Sequence, residues 1–204
     1  MKRLVLALAA VFGLGWGSAR AADTSASAPI KALNTALIGA MHAGKGTPFA
    51  QRYTTLAPIV EQTFDLPAVL QASVGPRWAS LPRQQQAELQ TEFVRFTVAS
   101  YVANFDNFSG ERFTISPETR VIGAEQVVST QIIPTTGDVA KLDYVMRQEP
   151  SGWRAVDVLL DGTISRAAVQ RSDFRSLIIG EDAHRLVDSL KKKVADLSGG
   201  AQLP

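Results

Sequence analysis

Apolar residues recur every three or four positions along the first half of the chain, which is the spacing of an amphipathic helix. The first such run stops at Gly44, so we expect a helix to end there. Its apolar positions are Ile30, Leu33, Leu37 and Met41. A second helix is predicted to begin at Pro48 and to bend or end near Pro58, because proline fits the first turn of a helix and disrupts its interior.

Two further helices precede a change of pattern. A short one is predicted to begin near Asp65, whose carboxylate can cap the first turn, and to end at Gly75. The longest covers residues 82–107, and its apolar residues spread over more than one stripe of the helix surface. We therefore expect this helix to be buried on several sides rather than along a single seam.

The apolar period then changes from helical to two. Residues 113–136 predict one or two strands with a break near Gly123, and residues 138–162 predict two strands joined by the tight turn 149–152. Two helices close the chain, the first capped by Ser165. Helices, then strands, then helices predict an α+β fold, an antiparallel twisted sheet of about four strands with helices on one side.

The N-terminus has the pattern of a secretory signal peptide. Two basic residues precede an apolar run, and Ala-Arg-Ala at residues 19–21 is typical of a cleavage site. The run is too short for a transmembrane helix. We therefore predict a signal peptide over residues 1–21, a disordered lead over 22–29, one domain over 30–198 and a C-terminal tail over 199–204.

Composition narrows the possible functions of the exported chain. The 204-residue sequence has no cysteine, so no disulfide, zinc-thiolate site or lipid-anchor cysteine is available. Loss of Lys2, Arg3 and Arg20 with the signal peptide takes the formal charge from +2 to −1. A nucleic-acid partner then lacks electrostatic support. With an export signal and no lipid-anchor cysteine, the chain is expected to be a monomeric periplasmic protein.

Candidate catalytic groups are few. The sequence has two histidines, His42 and His184, neither with a partner at metal-ligand spacing, so no metal or other cofactor is expected. Asp157 and Asp161 share one strand face about 13 Å apart, whereas the carboxylates of a glycosidase lie roughly 5–9.5 Å apart. We expect Asp157 to point at solvent or at an arginine, and Asp161-Gly162 to form a turn.

Two alternatives remain for the many apolar residues of the long helix and the strands. They form either a filled core or the wall of an apolar cavity, and the pattern alone does not separate the two. A small periplasmic hydrolase that uses His184 with Asp182 is a further hypothesis, since catalytic groups assemble in space rather than in sequence.

Two blocks of sequence resemble the toluene-tolerance or MlaC family of periplasmic lipid carriers. The first, residues 64–93, has Phe-Asp-Leu at 64–66 and Gly-Pro-Arg-Trp at 75–78. The second, residues 152–178, has Trp-Arg-Ala-Val-Asp-Val at 153–158 and Gln-Arg-Ser-Asp-Phe at 170–174. Gln170 stands where the family has tyrosine, and the general pattern is most similar to the hopanoid-biosynthesis-associated, HpnM-like branch.

The resemblance implies a carrier without catalytic residues, whose sheet and helices enclose a deep apolar pocket. Its ligand would be a membrane lipid, a hopanoid or a phospholipid, and its partners an inner-membrane lipid transporter and an outer-membrane complex. The function implied is maintenance of the outer membrane. We expect the pocket to be lined by Phe93, Phe96, Tyr101, Val128, Ile132, Leu142, Tyr144, Met146, Val156, Val158, Leu160, Ile164, Val169 and Phe174.

Overall fold

Helices on one side of a β-sheet form the architecture of the computed structural model, which describes residues 25–204. The predicted signal peptide and the first residues of the lead lie outside the described residues. The helices are α1 (Ala28–Ala43), α2 (Phe49–Thr63), α3 (Leu66–Val74), α4 (Arg83–Asn104), α5 (Arg166–Arg175) and α6 (His184–Ser198), with a 3-10 turn at Gly75–Ser80. None of these helices combines the length and the apolar character that crossing a bilayer requires.

Five antiparallel strands follow one another in the sheet in sequence order, which confirms the α+β fold. They are β1 (Arg112–Ile122), β2 (Glu125–Ile133), β3 (Ala140–Glu149), β4 (Gly152–Leu160) and β5 (Ile164–Ser165). The break predicted near Gly123 is the turn between β1 and β2. The additional strand is the two-residue β5, which is too short to leave an alternating pattern in the sequence.

The helix boundaries agree with most of the sequence signals. Asp65 caps α3 by accepting a hydrogen bond from the backbone N–H of Ala68 at 3.0 Å. Three boundaries differ from the prediction. The first helix begins at Ala28, α2 continues through Pro58 to Thr63, and α4 ends at Asn104. Pro58 falls in the last two turns of α2, where the loss of one backbone hydrogen bond is tolerated because the helix packs against α1 and α4.

A bulge in β4 shifts the alternation of its side chains. Val145 pairs with Asp157 and Met146 pairs with Ala155, so Val156 is the extra residue. One extra residue moves every side chain before it to the other face of the sheet. Ala155 therefore packs in the core with Val158, and Val156 does not share their face. The predicted face of Val156, Val158 and Leu160 is wrong at Val156 for this reason.

The helical layer is attached to the sheet mainly through β4. Helices α1, α2, α3 and α5 all contact this strand. The chain between α2 and α3 also forms a bridge with it, because the Asp65 N–H donates to the Ala155 carbonyl at 3.0 Å. The fully buried side chains of this layer include Leu33, Leu37, Leu56, Leu70, Leu89, Leu186 and Leu190.

Asp157 anchors the start of α5 rather than pointing at solvent or an arginine. Its carboxylate accepts hydrogen bonds from the backbone N–H of Val158 at 2.8 Å, the backbone N–H of Ala167 at 3.1 Å and the hydroxyl of Ser165. Ser165 in turn caps α5 by accepting from the Ala168 N–H at 3.0 Å. The sequence signal for the Ser165 cap is confirmed, and the predicted environment of Asp157 is wrong.

Asp161 has the local role that the sequence indicates. Asp161 and Gly162 adopt left-handed backbone angles, with φ of 49° and 74°, and the Thr163 N–H donates to the Leu160 carbonyl at 3.1 Å. Two successive left-handed residues are what a tight antiparallel turn requires. The turn connects β4 to β5.

The two aspartates provide a matched test of this assignment. We expect Asp157→Asn to lower the free energy of unfolding by about 1–3 kcal/mol, because a neutral amide is a weaker acceptor and brings an unmatched N–H toward the same donors. Asp161→Asn should change it by less than about 0.5 kcal/mol, since asparagine tolerates the left-handed angles. Urea denaturation of both variants measures the difference, and equal stabilities would contradict the anchoring role of Asp157.

Candidate apolar cavity

An apolar cavity of about 340 Å³ lies between α4 and strands β3 and β4, with α3 and α5 at its sides. This volume is at the lower end of the range of roughly 300–1,000 Å³ for small-molecule sites. The lining residues are Phe64, Leu66, Val69, Phe93, Phe96, Thr97, Ser100, Tyr101, Asn104, Phe105, Leu142, Tyr144, Asp157, Val158, Leu160, Arg166 and Gln170.

The position of α4 explains why this space stays open. The helix packs against α2, α3 and α6, whereas it makes few contacts with the sheet. Its buried residues, Leu89, Phe93, Val98 and Val102 among them, are held by the neighbouring helices. The face of α4 that carries Phe96 and Tyr101 is thus left facing β3 and β4 across the cavity.

Aromatic rings form one wall of the cavity. The ring of Phe64 lies 5.8 Å from that of Tyr101 and 6.2 Å from that of Tyr144, measured between centroids. The ring of Phe105 stacks on Tyr101 at 6.0 Å. These contacts cross from α4 to β3 through the residue that follows α2, so the wall is fixed by three separate segments of the chain.

Hydroxyl groups on α4 add little polarity to the cavity. Thr97 donates its hydroxyl to the carbonyl of Phe93 at 2.8 Å, and Ser100 donates to the carbonyl of Phe96 at 2.7 Å. Because both donors are bonded within their own helix, these side chains present mainly carbon atoms to the cavity. The cavity wall is therefore more apolar than its residue types suggest.

Tyr101 and Tyr144 place two phenol groups in the cavity wall, and Phe64 contacts both rings. Burial raises the pKa of Tyr144 to about 12, and burial and the neighbouring Tyr144 raise that of Tyr101 well above its usual 10.0, with the Arg166 guanidinium acting in the opposite direction. Both phenols thus remain protonated throughout the physiological pH range.

Other polar side chains of the lining reach water. Asn104 and Arg166 are exposed, and Asp157 and Gln170 are half-buried. Gln170 accepts a hydrogen bond from the hydroxyl of the buried Ser73 at 2.9 Å, which joins α5 to α3. The cavity therefore has an apolar interior and a polar rim, and the rim includes one cationic side chain.

The apolar residues predicted for a pocket divide into two groups. Those that line the cavity are Phe93, Phe96, Tyr101, Leu142, Tyr144, Val158 and Leu160. Those that do not are Val128, Ile132, Met146, Val156, Ile164, Val169 and Phe174. Val128, Ile132 and Ile164 lie on β2 and β5, which contribute no lining residue, whereas the other four lie on elements that do.

The residues outside the cavity have three kinds of environment. Val128, Met146 and Phe174 are buried in the filled core, where Phe174 packs edge-on against Phe93. Val156 is the bulge residue, and Ile132 is half-buried near the end of β2. Ile164 and Val169 are exposed, with 51% and 38% of their surface accessible, because they lie on the outer side of β5 and α5.

Sequence reasoning missed Phe64, Leu66, Val69 and Phe105 as lining residues, together with the polar rim. Phe64 and Leu66 flank the Asp65 cap, and an apolar residue beside a helix cap usually packs in the core. Phe105 falls inside the predicted long helix, but α4 ends at Asn104. Only the tertiary arrangement shows that these positions border an open space.

The His184 and Asp182 side chains are close, as the hydrolase hypothesis requires. Their Nδ1 and Oδ1 atoms lie 2.6 Å apart, and the pKa of Asp182 is lowered by hydrogen bonds from the His184 backbone and ring. Both side chains are more than 60% exposed, and neither lines the cavity. Asp182 also accepts from the His184 N–H at 2.8 Å, which is a turn contact at the start of α6.

No cluster of metal-ligating side chains occurs within residues 25–204. His42, the second histidine, packs its ring against Phe108 with centroids 4.0 Å apart.

The two sequence blocks that carry the family resemblance meet in space. Arg171 lies over Gly75, where a Cβ atom would come within 3.3 Å of its side chain, and its Nε donates to the Ala72 carbonyl at 2.8 Å. Arg77 donates to the carbonyls of Arg175 and Ile178. The block after α2 and the block of α5 are therefore the two halves of one interface beside the cavity.

Comparison with known proteins agrees with this arrangement. The model of the MlaC protein family matches residues 31–192. The chain belongs to the MlaC family. No curated protein matches it.

A solved structure with the same fold as this chain carries a bound lipid. It is a phospholipid-binding protein from Ralstonia solanacearum in complex with a phospholipid, with a TM-score of 0.72 and 19% sequence identity. The alignment covers 85% of this chain and 99% of that one. The likeness confirms the fold, whereas the HpnM-like branch stays a prediction.

The buried phenols predict a stability change at high pH. The pKa of Tyr144 is higher in the folded protein than in the unfolded chain. Its contribution to the free energy of unfolding is therefore complete below pH 10.0 and is lost as the pH rises towards about 12. A shift of this size corresponds to about 3 kcal/mol. We expect Tyr144→Phe to reduce this loss of unfolding free energy, as measured by urea denaturation across this range. Identical pH profiles of wild type and variant would contradict the burial of this hydroxyl.

Proposed function

We propose that this MlaC-family protein is a periplasmic carrier that binds one membrane lipid and passes it between membrane-embedded transport complexes by direct contact. The observation that carries the proposal is the apolar cavity between α4 and strands β3 and β4. An apolar interior with a polar rim fits a molecule whose tails are buried and whose headgroup stays in water.

Energetics favour direct hand-over rather than release into water. Burial of a methylene group stabilises a bound lipid by roughly 0.8 kcal/mol, so about 30 lipid carbons would oppose escape into water by on the order of 20 kcal/mol. The cavity volume indicates that only part of a two-chain lipid is enclosed in the present conformation. Even partial burial makes release into water slow, so the lipid has to move while carrier and partner are in contact.

The exposed apolar residues Ile164 and Val169 support a contact surface next to the cavity. They flank Arg166, whose guanidinium lies at the cavity rim. Arginine is enriched in protein–protein interfaces, whose buried cores are more apolar than the rest of the surface. We propose that the membrane complexes contact this side of the carrier.

Phospholipid has more support than hopanoid as the ligand. The relative from Ralstonia solanacearum holds a phospholipid on a similar fold. Arg166 at the rim fits an anionic phosphate group, whereas a neutral hopanoid has no charge for it to contact.

The proposal includes no catalytic step. The candidate pair His184 and Asp182 is exposed on the surface and lies outside the cavity lining. A ligand held in the cavity therefore does not contact it. We expect His184→Ala to leave lipid binding unchanged.

Filling the cavity provides the direct test. Val158 lines the cavity on β4, opposite Tyr144 of β3. When wild type and variant compete for a limiting amount of lipid, we expect Val158→Trp to hold at least about tenfold less of it, because displacing about two methylene groups from the cavity costs about 1.6 kcal/mol. Organic extraction of the purified protein followed by mass spectrometry measures the lipid.

Val121→Trp is the matched control, since Val121 is 71% exposed on β1 and lies outside the cavity. It should keep the full lipid content. If the space were instead a filled core, Val158→Trp would lower the unfolding free energy by about 1–3 kcal/mol, and wild-type extracts would contain no lipid. That combination would overturn the carrier function.

A further inference from the structure

Phe96 differs from the other aromatic residues that line the cavity. Each of the others packs against at least one further aromatic ring, and they are Phe64, Phe93, Tyr101, Phe105 and Tyr144. Within residues 25–204, Phe96 has no such ring contact, and its side chain is only half-buried. Of these aromatic side chains, Phe96 is thus the one that ring packing does not fix.

A lysine of α6 covers the ring of Phe96 instead. The Nζ atom of Lys193 lies over this ring, 5.7 Å from its centroid. An ammonium group at this distance is attracted to the face of the ring. Over the whole of α6, His184–Ser198, no residue lines the cavity. The ring of Phe96 consequently lies between the cavity on one side and an exposed cation on the other.

The two lysines before Lys193 have different partners. Lys191 forms an ion pair with Glu88 of α4 at 2.9 Å, and Lys192 pairs with Asp196 of its own helix at 2.9 Å. Among the described residues, Lys193 has no carboxylate within ion-pair distance, so the ring of Phe96 is its partner. Substitutions of the same charge at neighbouring positions therefore separate the ring contact from a general effect of charge.

We propose that Phe96 is a gate on the α6 side of the cavity, and that its cation–π contact with Lys193 keeps the gate closed. The cavity encloses only part of a two-chain lipid, so full entry of the chains requires part of the wall to move. Rotation of the Phe96 side chain away from the cavity breaks the contact with Lys193 and opens a path between α4 and α6.

The inference rests on the proposed lipid-binding function and adds a control over its rate. Side chains change rotamer far faster than a lipid leaves its site, so the contact acts through the fraction of molecules in which the gate is open. A gate changes entry and release alike. Loss of the contact should therefore change the rates and leave the equilibrium affinity for lipid unchanged.

The test measures release of a phospholipid with one short, fluorescent acyl chain, which is soluble enough to exchange through water. The loaded protein is mixed with phosphatidylcholine vesicles that contain a quencher. We expect Lys193→Gln to release the lipid about two- to fivefold faster than the wild type, the range of one exposed cation–π contact. Lys193→Arg should keep the wild-type rate, because arginine also binds ring faces.

Lys192→Gln is the matched control, since it has the same net charge as Lys193→Gln and loses only a contact within α6. It should release the lipid at the wild-type rate. A double-mutant cycle tests whether Lys193 acts through the ring. In a Phe96→Leu background, Lys193→Gln should leave the release rate unchanged.

Three results would overturn the inference and leave the carrier function standing. One is a Lys193→Gln rate no faster than that of Lys192→Gln. The second is an effect of Lys193→Gln that persists without the Phe96 ring or is not prevented by arginine. The third is a loss of equilibrium affinity in proportion to the faster release, which would make Lys193 a ligand contact. A wild type that retains none of the labelled lipid on gel filtration would overturn both the gate and the carrier function.

Discussion

The carboxylate of Asp157 holds together the parts of the structure that surround the cavity. It accepts three hydrogen bonds, from the backbone of Val158, from the Ser165 hydroxyl and from the first turn of α5. The start of α5 is thereby fixed on β4. The other end of α5 is fixed on α3 and the segment after it, because Arg171 of α5 donates to the Ala72 carbonyl and Arg77 donates to the carbonyls of Arg175 and Ile178. With α5 and α3 fixed in this way, one side of the cavity has a rigid wall.

The cavity exists because α4 is held by other helices. Its apolar residues are satisfied by α2, α3 and α6, so the helix does not need to move onto the sheet to bury them. What remains between α4 and the sheet is a space with apolar walls, and closing it would require the whole helical layer to shift. Binding of lipid tails in this space is favourable, because it removes the apolar surface of the cavity and of the tails from water.

Much of the fold could be predicted from the sequence, because its signals are local. Helical spacing, the Asp65 and Ser165 caps and the Gly123 turn gave the order of the elements. The cavity wall was only partly predictable. A bulge at Val156 changes which side chains face the helices, and no local pattern marks it. Residues such as Met146 and Leu142 have the same alternation, yet one fills the core and the other lines the cavity.

The polar parts of the site were the least predictable. The pattern placed Asp157 at solvent or beside an arginine, because a lone acid on a strand has no evident local partner. Two of its three donors, Ser165 and Ala167, are brought to it by the turn after β4. Gln170 differs from the tyrosine that is typical of the family, and the structure shows it accepting a hydrogen bond from Ser73 on α3. Side chains that connect separate elements depend on distances that the sequence pattern does not contain.

The most direct test of the account is native mass spectrometry of the purified, unmodified protein. A carrier with a lipid in its cavity is predicted to show a main species heavier than the chain by the mass of one lipid, and collisional activation should release that lipid and leave the bare chain. A spectrum with only the bare chain, both in a fresh preparation and after incubation with phospholipid vesicles, would contradict the lipid-carrier function.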